Sequence, residues 1–404
     1  MEKVSAISKN ILFLALNYPN IERDSNMYTD LMQEFKMHGH HVYVVASSSE
    51  TGNTGLFNEG GIQVLRCETY SHKTQNLINK GIANVLLPHQ YLQAIKSKLS
   101  SIEFNLVLLP TPPITLLSVI KKLKQKNEIP VYLILRDIFP QNAVDIKLMR
   151  KSTPLYFYFR NIEKKLYKEV DKIGCMSLGN IEYIQSNNEI KSNKTELLRN
   201  WQTTQFNEEV DKEKLKRSLG LQDKLVVFYG GNISKPQKIS NAVELIKKYK
   251  NEDKLIFYFI GRGTEIKEFS KEIKKNKFKN VIVEESIARK KYLELLNIAD
   301  VGLVTLDENF TIPNMPSKTI SYLFAGVPIL ALIDKTTDFG PWIQDEIEAG
   351  YWVEATKTKE AKEKLDTLIK SPTLRLKMGE KGKKYAHKFL TPNVAYKTII
   401  KEST

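Results

Sequence analysis

VGLVTLDENFTIPNMPSKTISYLFAGVPIL, residues 301–330, reads in order as a short apolar run, an irregular loop, a Pro-Ser-Lys helix start and a second apolar run. Apolar runs of this length bounded by loops are buried strands, and a helix joining two of them is the repeating unit of a parallel sheet. The loop lies at a strand's carboxyl end, where open α/β sheets bind ligands. Pro316 suits a first helical turn because its missing N–H costs nothing there, and Ser317 and Lys318 follow where helix N–H groups lack partners. A hydroxyl, an ammonium and the partial positive charge of a helix start make a candidate phosphate site. An ordinary strand-loop-helix without a ligand is the competing reading.

Working outward, the same alternation fills the chain. Residues 11–16, 41–46, 63–67, 106–109, 131–135 and 172–176 read as strands, with amphipathic helices at 25–37, 77–99 and 113–124. A second series begins at 225–229 and continues through 255–260, 281–283, 301–305 and 329–333. Two α/β units follow, with a boundary near residue 205. Between them residues 208–224, containing EEVDKEKLKRSLG, read as a surface helix and linker. Past Thr356 the chain turns to Lys-rich helices, ending at 393–404.

With 42% apolar and 26% charged residues over 404 positions, the composition is that of a soluble globular chain, and disorder is excluded. The net charge of +15 brings a polyanionic partner into consideration, whether nucleic acid, an anionic membrane face or a phosphorylated substrate, without naming it. Lysines such as Lys121, Lys122, Lys124 and Lys126 read as solvated helix faces. Cys67 and Cys175 sit in apolar strands without metal-type spacing, so buried free thiols in a reducing cytoplasm are expected. No signal-peptide pattern and no spanning segment is visible. Residues 147–168, KLMRKSTPLYFYFRNIEKKLYK, mix aromatics with Lys and Arg. This stretch is either a core helix with a basic outer face or a surface resting on anionic headgroups, which would place a cytoplasmic protein peripherally on the inner face of the membrane.

The second unit opens with FYGGNISKPQK, residues 228–238. Its glycines permit close approach of a ligand, and Gly231, Asn232, Lys235 and Lys238 are candidate diphosphate contacts. The spacing is neither a dinucleotide fingerprint nor a P-loop. Gly261-Arg262-Gly263 ends the next strand, where Arg262 reads either as a phosphate contact or as a solvated charge. In the first unit, Arg136 and Asp137 end an apolar strand. Catalytic base, hydroxyl ligand and ion-pair partner of Arg136 are all open for Asp137. Histidines 38, 40 and 41 close the first helix, where a structural role fits the helix dipole.

These residues together resemble a known family. Gly39-His40-His41-Val42, Leu198-Arg199-Asn200-Trp201, Gly230-Gly231-Asn232-Ile233 and above all Pro316-Ser317-Lys318 with Ala325-Gly326-Val327-Pro328 are similar to motifs of the GT-B glycosyltransferases of family 4. The branch acting in capsule, exopolysaccharide and O-antigen assembly, which also has an Asp followed by a Pro where Asp137 and Pro140 stand, is the most similar. The resemblance implies an α/β GT-B fold: two Rossmann-like domains with parallel sheets facing a central cleft. These would be an acceptor domain at 1–205, a nucleotide-sugar donor domain at 206–385, and a C-terminal helix at 386–404 crossing back to the first. It implies retaining transfer of a hexose or N-acetylhexosamine from a nucleotide diphosphate sugar, with UDP expected, to a saccharide or polyprenyl-linked acceptor.

On this reading neither cofactor nor metal is required, and nucleic acid is not a partner. Donor contacts would come from Gly231, Asn232, Lys235, Lys238, Arg262, Pro316, Ser317 and Lys318, with the base held around Ser286 and Ile287. Acceptor contacts would come from Ser25, Asn26 and Arg136. The family pattern has two glutamates where this sequence has Pro313 and Ser321, the second normally contacting the ribose. Glu308 is the candidate substitute, beside Asp137 as a catalytic carboxylate. A catalytically impaired sugar-nucleotide binding subunit and a nucleotide-sugar epimerase are the alternative functions.

Overall fold

The computed structural model describes residues 8–48, 53–70, 77–203 and 210–401. The chain divides into two compact units, residues 1–199 with 392–404 and residues 200–391. The boundary expected at 205 lies outside the described residues, as do residues 402–404 of the C-terminal helix. The second unit starts at Asn200 because that segment is tied into it: the Asn200 carboxamide donates to the Met315 carbonyl at 3.1 Å, and the Gln202 N–H to the Leu390 carbonyl at 3.0 Å.

In the first unit the elements run β1 (Asn10–Ala15), α1 (Met27–Met37), β2 (His41–Ser47), β3 (Gly55–Glu59), β4 (Ile62–Cys67), α2 (Leu77–Lys98), β5 (Leu106–Pro110), α3 (Leu117–Lys126), β6 (Val131–Leu135), α4 (Gln141–Asp145), α5 (Pro154–Glu169), β7 (Lys172–Cys175), α6 (Leu178–Asn188) and β8 (Thr195–Leu197). The sheet order is β3-β4-β2-β1-β5-β6-β7-β8, with β3 alone antiparallel to its neighbour. That hairpin was not anticipated. Its turn, Gly60-Gly61, has positive φ at both residues, the conformation a two-residue hairpin needs and side chains resist. Strand order reverses between β1 and β5, so the loops after β1, β5 and β6 crowd one edge of the sheet.

The second unit runs α7 (Lys212–Ser218), β9 (Leu225–Asn232), α8 (Ser240–Lys247), β10 (Leu255–Arg262), α9 (Ile266–Asn276), β11 (Val281–Glu285), α10 (Arg289–Leu295), β12 (Val301–Thr305), α11 (Lys318–Phe324), β13 (Ile329–Ile333), α12 (Phe339–Pro341), β14 (Gly350–Glu354), α13 (Thr358–Lys370) and α14 (Pro372–Phe389). Its parallel sheet has the order β11-β10-β9-β12-β13-β14, reversing between β9 and β12. Val227, Tyr229, Phe257, Phe259, Leu303 and Leu330 pack at its centre against Ala242, Ile246 and Leu365. Burial of that area is the main stabilising term. The charged stretch expected as surface and linker is partly docked. Lys212 and Lys216 donate to Asp300 at 2.9 and 2.8 Å, and Lys216 is buried.

The last helix, α15 (Pro392–Lys401), packs on α1 within the first unit. Its Tyr396 hydroxyl meets His40 Nε2 at 2.9 Å, and the Tyr396 ring stacks on His38 at 4.0 Å. The Asn393 carboxamide reaches Glu34 at 2.6 Å. Two of the histidines that read as dipole partners, His38 and His40, thus hold the C-terminal helix. Cys67 and Cys175 are free and buried, and desolvation pushes both thiols up to about 12.

Candidate functional site

In the second unit, the carboxyl ends of β9 and β12 flank the point where strand order reverses. The chain knits them together there. The Tyr322 hydroxyl accepts from the Gly230 N–H at 3.0 Å and reaches the Phe228 carbonyl at 3.2 Å. The Thr305 hydroxyl donates to the Gln237 carbonyl at 2.6 Å, and the Asp307 N–H to the Pro236 carbonyl at 2.9 Å. The loops after both strands therefore form one frame.

The expected glycine turn is displaced. Strand β9 continues through Asn232 and β10 through Arg262, with Gly231 paired to Gly261 and Asn232 to Arg262. A Cβ at Gly261 would collide with the Gly231 carbonyl, so the glycine there allows the two strands to stay close to their ends rather than to turn early. Gly231 itself has φ +127, and an added Cβ there would lie 3.5 Å from Lys318 Cε. Asn232 donates to Ser234 at 2.8 Å. The Arg262 side chain is exposed, and Ser286 and Ile287 directly follow β11 at the sheet edge.

The Pro-Ser-Lys segment differs from its expected form. Helix α11 begins at Lys318 and spans seven residues, so Pro316 precedes the helix and Ser317 takes the N-cap position without a side-chain cap bond. The start is tight: the Thr319 and Ile320 N–H groups donate back three residues, to Pro316 and Ser317, and the Thr319 hydroxyl also folds onto the Pro316 carbonyl. A helix this short contributes little dipole, and the burden of anion binding falls on side chains.

Among those side chains Lys318 stands apart. Its Nζ is buried, lies 3.5 Å over the Tyr229 ring centroid, and has no hydrogen-bond partner among the described residues. Burial pushes the ammonium well below the usual lysine range. Lys238, by contrast, is engaged. In a left-handed conformation with φ 37, it pairs with Glu308, and Asp307 lies 3.7 Å away. Burial pushes the Glu308 carboxyl up, but its bonds to Lys238 and Asn241 outweigh this and hold it below the usual carboxylate range. Two residues nominated for opposite tasks, a donor cation and a catalytic carboxylate, thus hold one another. Lys235 is half-buried and carries its charge near Glu265.

Where the family pattern has glutamates, Pro313 is buried and Ser321 Oγ meets Gln202 Oε1 at 2.6 Å. Neither position offers a carboxylate. Gln202 and Tyr229 carry no signal of their own in the sequence. Gln202 lies far along the chain from Ser321, and Tyr229 is one apolar strand residue among many.

In the first unit, the Thr111 hydroxyl gathers the ends of β5 and β6. It accepts from the Arg136 N–H at 3.0 Å and donates to the Asp137 carbonyl at 3.1 Å. Asp137 is exposed to solvent by area, yet the protein packed around it desolvates its carboxyl. Its carboxyl is pushed up to about 6 against the pull of Arg136. Tyr28 lies within reach of both charges. Asn26, nominated for the acceptor, caps α1 instead: its side chain accepts from the Tyr28 and Thr29 N–H groups at 2.9 and 3.1 Å, with Thr29 returning the bond in a capping box. The Ser25 N–H donates to Asp24 at 2.8 Å. Among the described residues no cluster of three His, Cys, Asp or Glu side chains is arranged to hold a metal.

Residues 211–385 match the model of the family described as Glycosyl transferases group 1. A probable glycosyltransferase, WbjE, from Pseudomonas aeruginosa is 25% identical over 297 residues, which is 70% of this chain and 71% of that protein. Among solved structures, sucrose-phosphate synthase from Thermosynechococcus elongatus is similar with a TM-score of 0.80 at 12% identity, over 97% of this chain and 98% of that one. HepE from Anabaena, solved in complex with UDP and glucose, is similar with a TM-score of 0.72 at 14% identity, over 97% and 98%. Together these findings show a GT-B fold, and the unit built on β9 to β14 carries the glycosyl transferases group 1 pattern.

Proposed function

We propose that this chain is a retaining glycosyltransferase that moves a hexose or N-acetylhexosamine from a UDP-sugar to a saccharide or polyprenyl-linked acceptor in surface polysaccharide synthesis, without a metal. The observation that carries the reading is the coincidence of the group 1 match with a strand-reversal point that holds a buried cation, Lys318, without a hydrogen-bond partner among the described residues. The complex of HepE with UDP and glucose supports the choice of nucleotide. Sugar transfer leaves negative charge on the departing diphosphate, and a cation fixed in a low-dielectric site stabilises it with little reorganisation. Lys318 has that role, assisted by Arg262 and by Lys238 when a phosphate displaces Glu308. Gly231 leaves room for the ligand beside Lys318, Ser317 adds a hydroxyl, and Ser286 and Ile287 flank the base. Asp137, beside Arg136, is the acceptor-side carboxylate.

A second reading has one observation in its favour. Pro313 and Ser321 replace acidic residues, and Glu308 is held by Lys238, which suits a subunit that binds nucleotide sugar without turning it over. Incubation with labelled nucleotide sugars, a lipid-linked acceptor extract and a chelator separates the readings. Labelled product with chelator present supports metal-free transfer, and binding without product supports the second. Membrane attachment belongs to the proposal through α5, which turns Leu155, Phe157 and Tyr158 to solvent, Phe157 at 62% exposure, among Lys164, Lys165 and Lys168. No helix among the described residues is long and apolar enough to cross a membrane. Flotation with anionic vesicles at low salt, lost in Phe157→Glu, tests that attachment.

A further inference from the structure

A second buried polar group of the same unit as Lys318 also lacks a partner among the described residues. The Gln202 side chain is only 6% exposed, its Oε1 accepts from the Ser321 hydroxyl at 2.6 Å, and its Nε2 has no partner among the described residues. A buried, unpaired amide is costly, so native proteins keep one where something else completes it. Ser321 is three residues beyond Lys318 on the same helix face, so the Gln202 amide is tied to a position one helical turn from the lysine.

The chemistry of the amide narrows what completes it. As placed, the carboxamide presents a donor. Turned over, it would accept a ligand's O–H while Ser321 accepts from its NH2. A hydroxyl both donates and accepts and satisfies either arrangement, whereas a carboxylate or an ammonium satisfies one alone. With Lys318 suited to an anionic oxygen and Gln202 tied to the next turn of the same helix, one molecule carrying both an anion and a hydroxyl satisfies both. In a nucleoside diphosphate sugar, each phosphate is attached to a hydroxyl-bearing ring.

We infer that Gln202, held by Ser321, is a specificity-determining residue that binds a ring hydroxyl of the donor next to its diphosphate. This rests on the donor reading proposed above. Neutral amide and hydroxyl groups then do work in this chain that needs no carboxylate, and the site discriminates hydroxylated from deoxygenated rings.

The experiment is calorimetric titration of wild type, Gln202→Leu and Gln202→Glu with whichever of UDP, GDP or ADP the wild type binds best, with the 2′-deoxy and 3′-deoxy forms, and with the glucose conjugate. Circular dichroism confirms that each variant is folded, and Gln202→Glu keeps the shape should the leucine variant not fold. If the pentose is the ligand, wild type prefers a hydroxylated nucleotide about tenfold over one deoxy form, and the variants lose that preference. If the sugar ring is the ligand, the variants leave the nucleotide unchanged and lose about tenfold for the glucose conjugate alone. Folded variants that keep every wild-type ratio overturn the inference while leaving donor binding intact. A wild type that binds none of these nucleotides overturns both.

Discussion

Replacing Lys318 by Met removes a buried charge that has no hydrogen-bond partner among the described residues and leaves an apolar chain of similar reach. Eliminating an unsatisfied buried donor returns about 1 to 3 kcal/mol. Losing the ammonium over the Tyr229 ring costs about 0.5 to 2 kcal/mol, which leaves a net stabilisation on the order of 1 kcal/mol. For a unit of this size that raises the melting temperature by roughly 2 to 4 °C. Ligand binding moves the other way, since a charge-assisted contact of about 1.5 to 3 kcal/mol corresponds to roughly ten- to hundredfold in Kd. The assay pairs differential scanning calorimetry of the free protein with titration of UDP and UDP-sugars into Lys318→Met and wild type. Opposite signs, a firmer fold with weaker binding, are expected. A lowered melting temperature together with unchanged nucleotide affinity would show that Lys318 serves the fold, and the site reasoning would fail.

Asp300 binds Lys212 and Lys216 and also accepts the Val226 N–H at 2.8 Å, so Asp300→Asn should destabilise the second unit by about 3 kcal/mol in urea unfolding. Burial pushes that carboxyl up, but the two lysines prevail and hold it low. Its stabilisation is therefore complete above the unfolded value of about 3.9 and lost as pH falls through the folded one, which acid titration of wild type against variant would register. His40 accepts the Lys9 N–H on Nδ1 at 3.1 Å, which requires a neutral ring, and desolvation followed by the charge of Lys9 holds its pKa down. The hold on α15 should thus be full above about pH 6.5 and loosen below it, seen as faster amide exchange in Pro392–Lys401; exchange independent of pH after correction for intrinsic rates would count against it. Asp137, with its carboxyl raised to about 6, should give an acidic limb in kcat/KM near that pH, active above and inactive below, and Asp137→Asn should abolish the limb with a loss of about a hundredfold or more in rate.

Much of the architecture was written in local pattern. Apolar runs of strand length, interrupted by amphipathic helices, specify parallel sheets whatever their neighbours, and the strands from β9 to β13 lie within a few residues of where periodicity puts them. The strands that went unseen, β3, β8 and β14, sit at sheet edges, where little burial is needed and the apolar pattern fades.

The site divided along the same line. Residues at or just past strand ends, such as Gly231, Arg262 and Asp137, and Lys318 at a helix start, could be picked out because such places are defined by the sequence. What each one does there was decided by partners distant in the chain. Lys238 is claimed by Glu308, Asn26 by its own helix, and Ser321 by Gln202, 119 residues away. Among the described residues Lys318 has no hydrogen-bond partner, and Tyr229 offers it a ring face rather than an acceptor. Sequence by itself set which residues stand at the edge of each sheet, since that follows from a periodicity of a few residues. Only tertiary structure decided which charges are already spent and which await a ligand, because pairing is a matter of ångströms between segments whose separation along the chain carries no information about it.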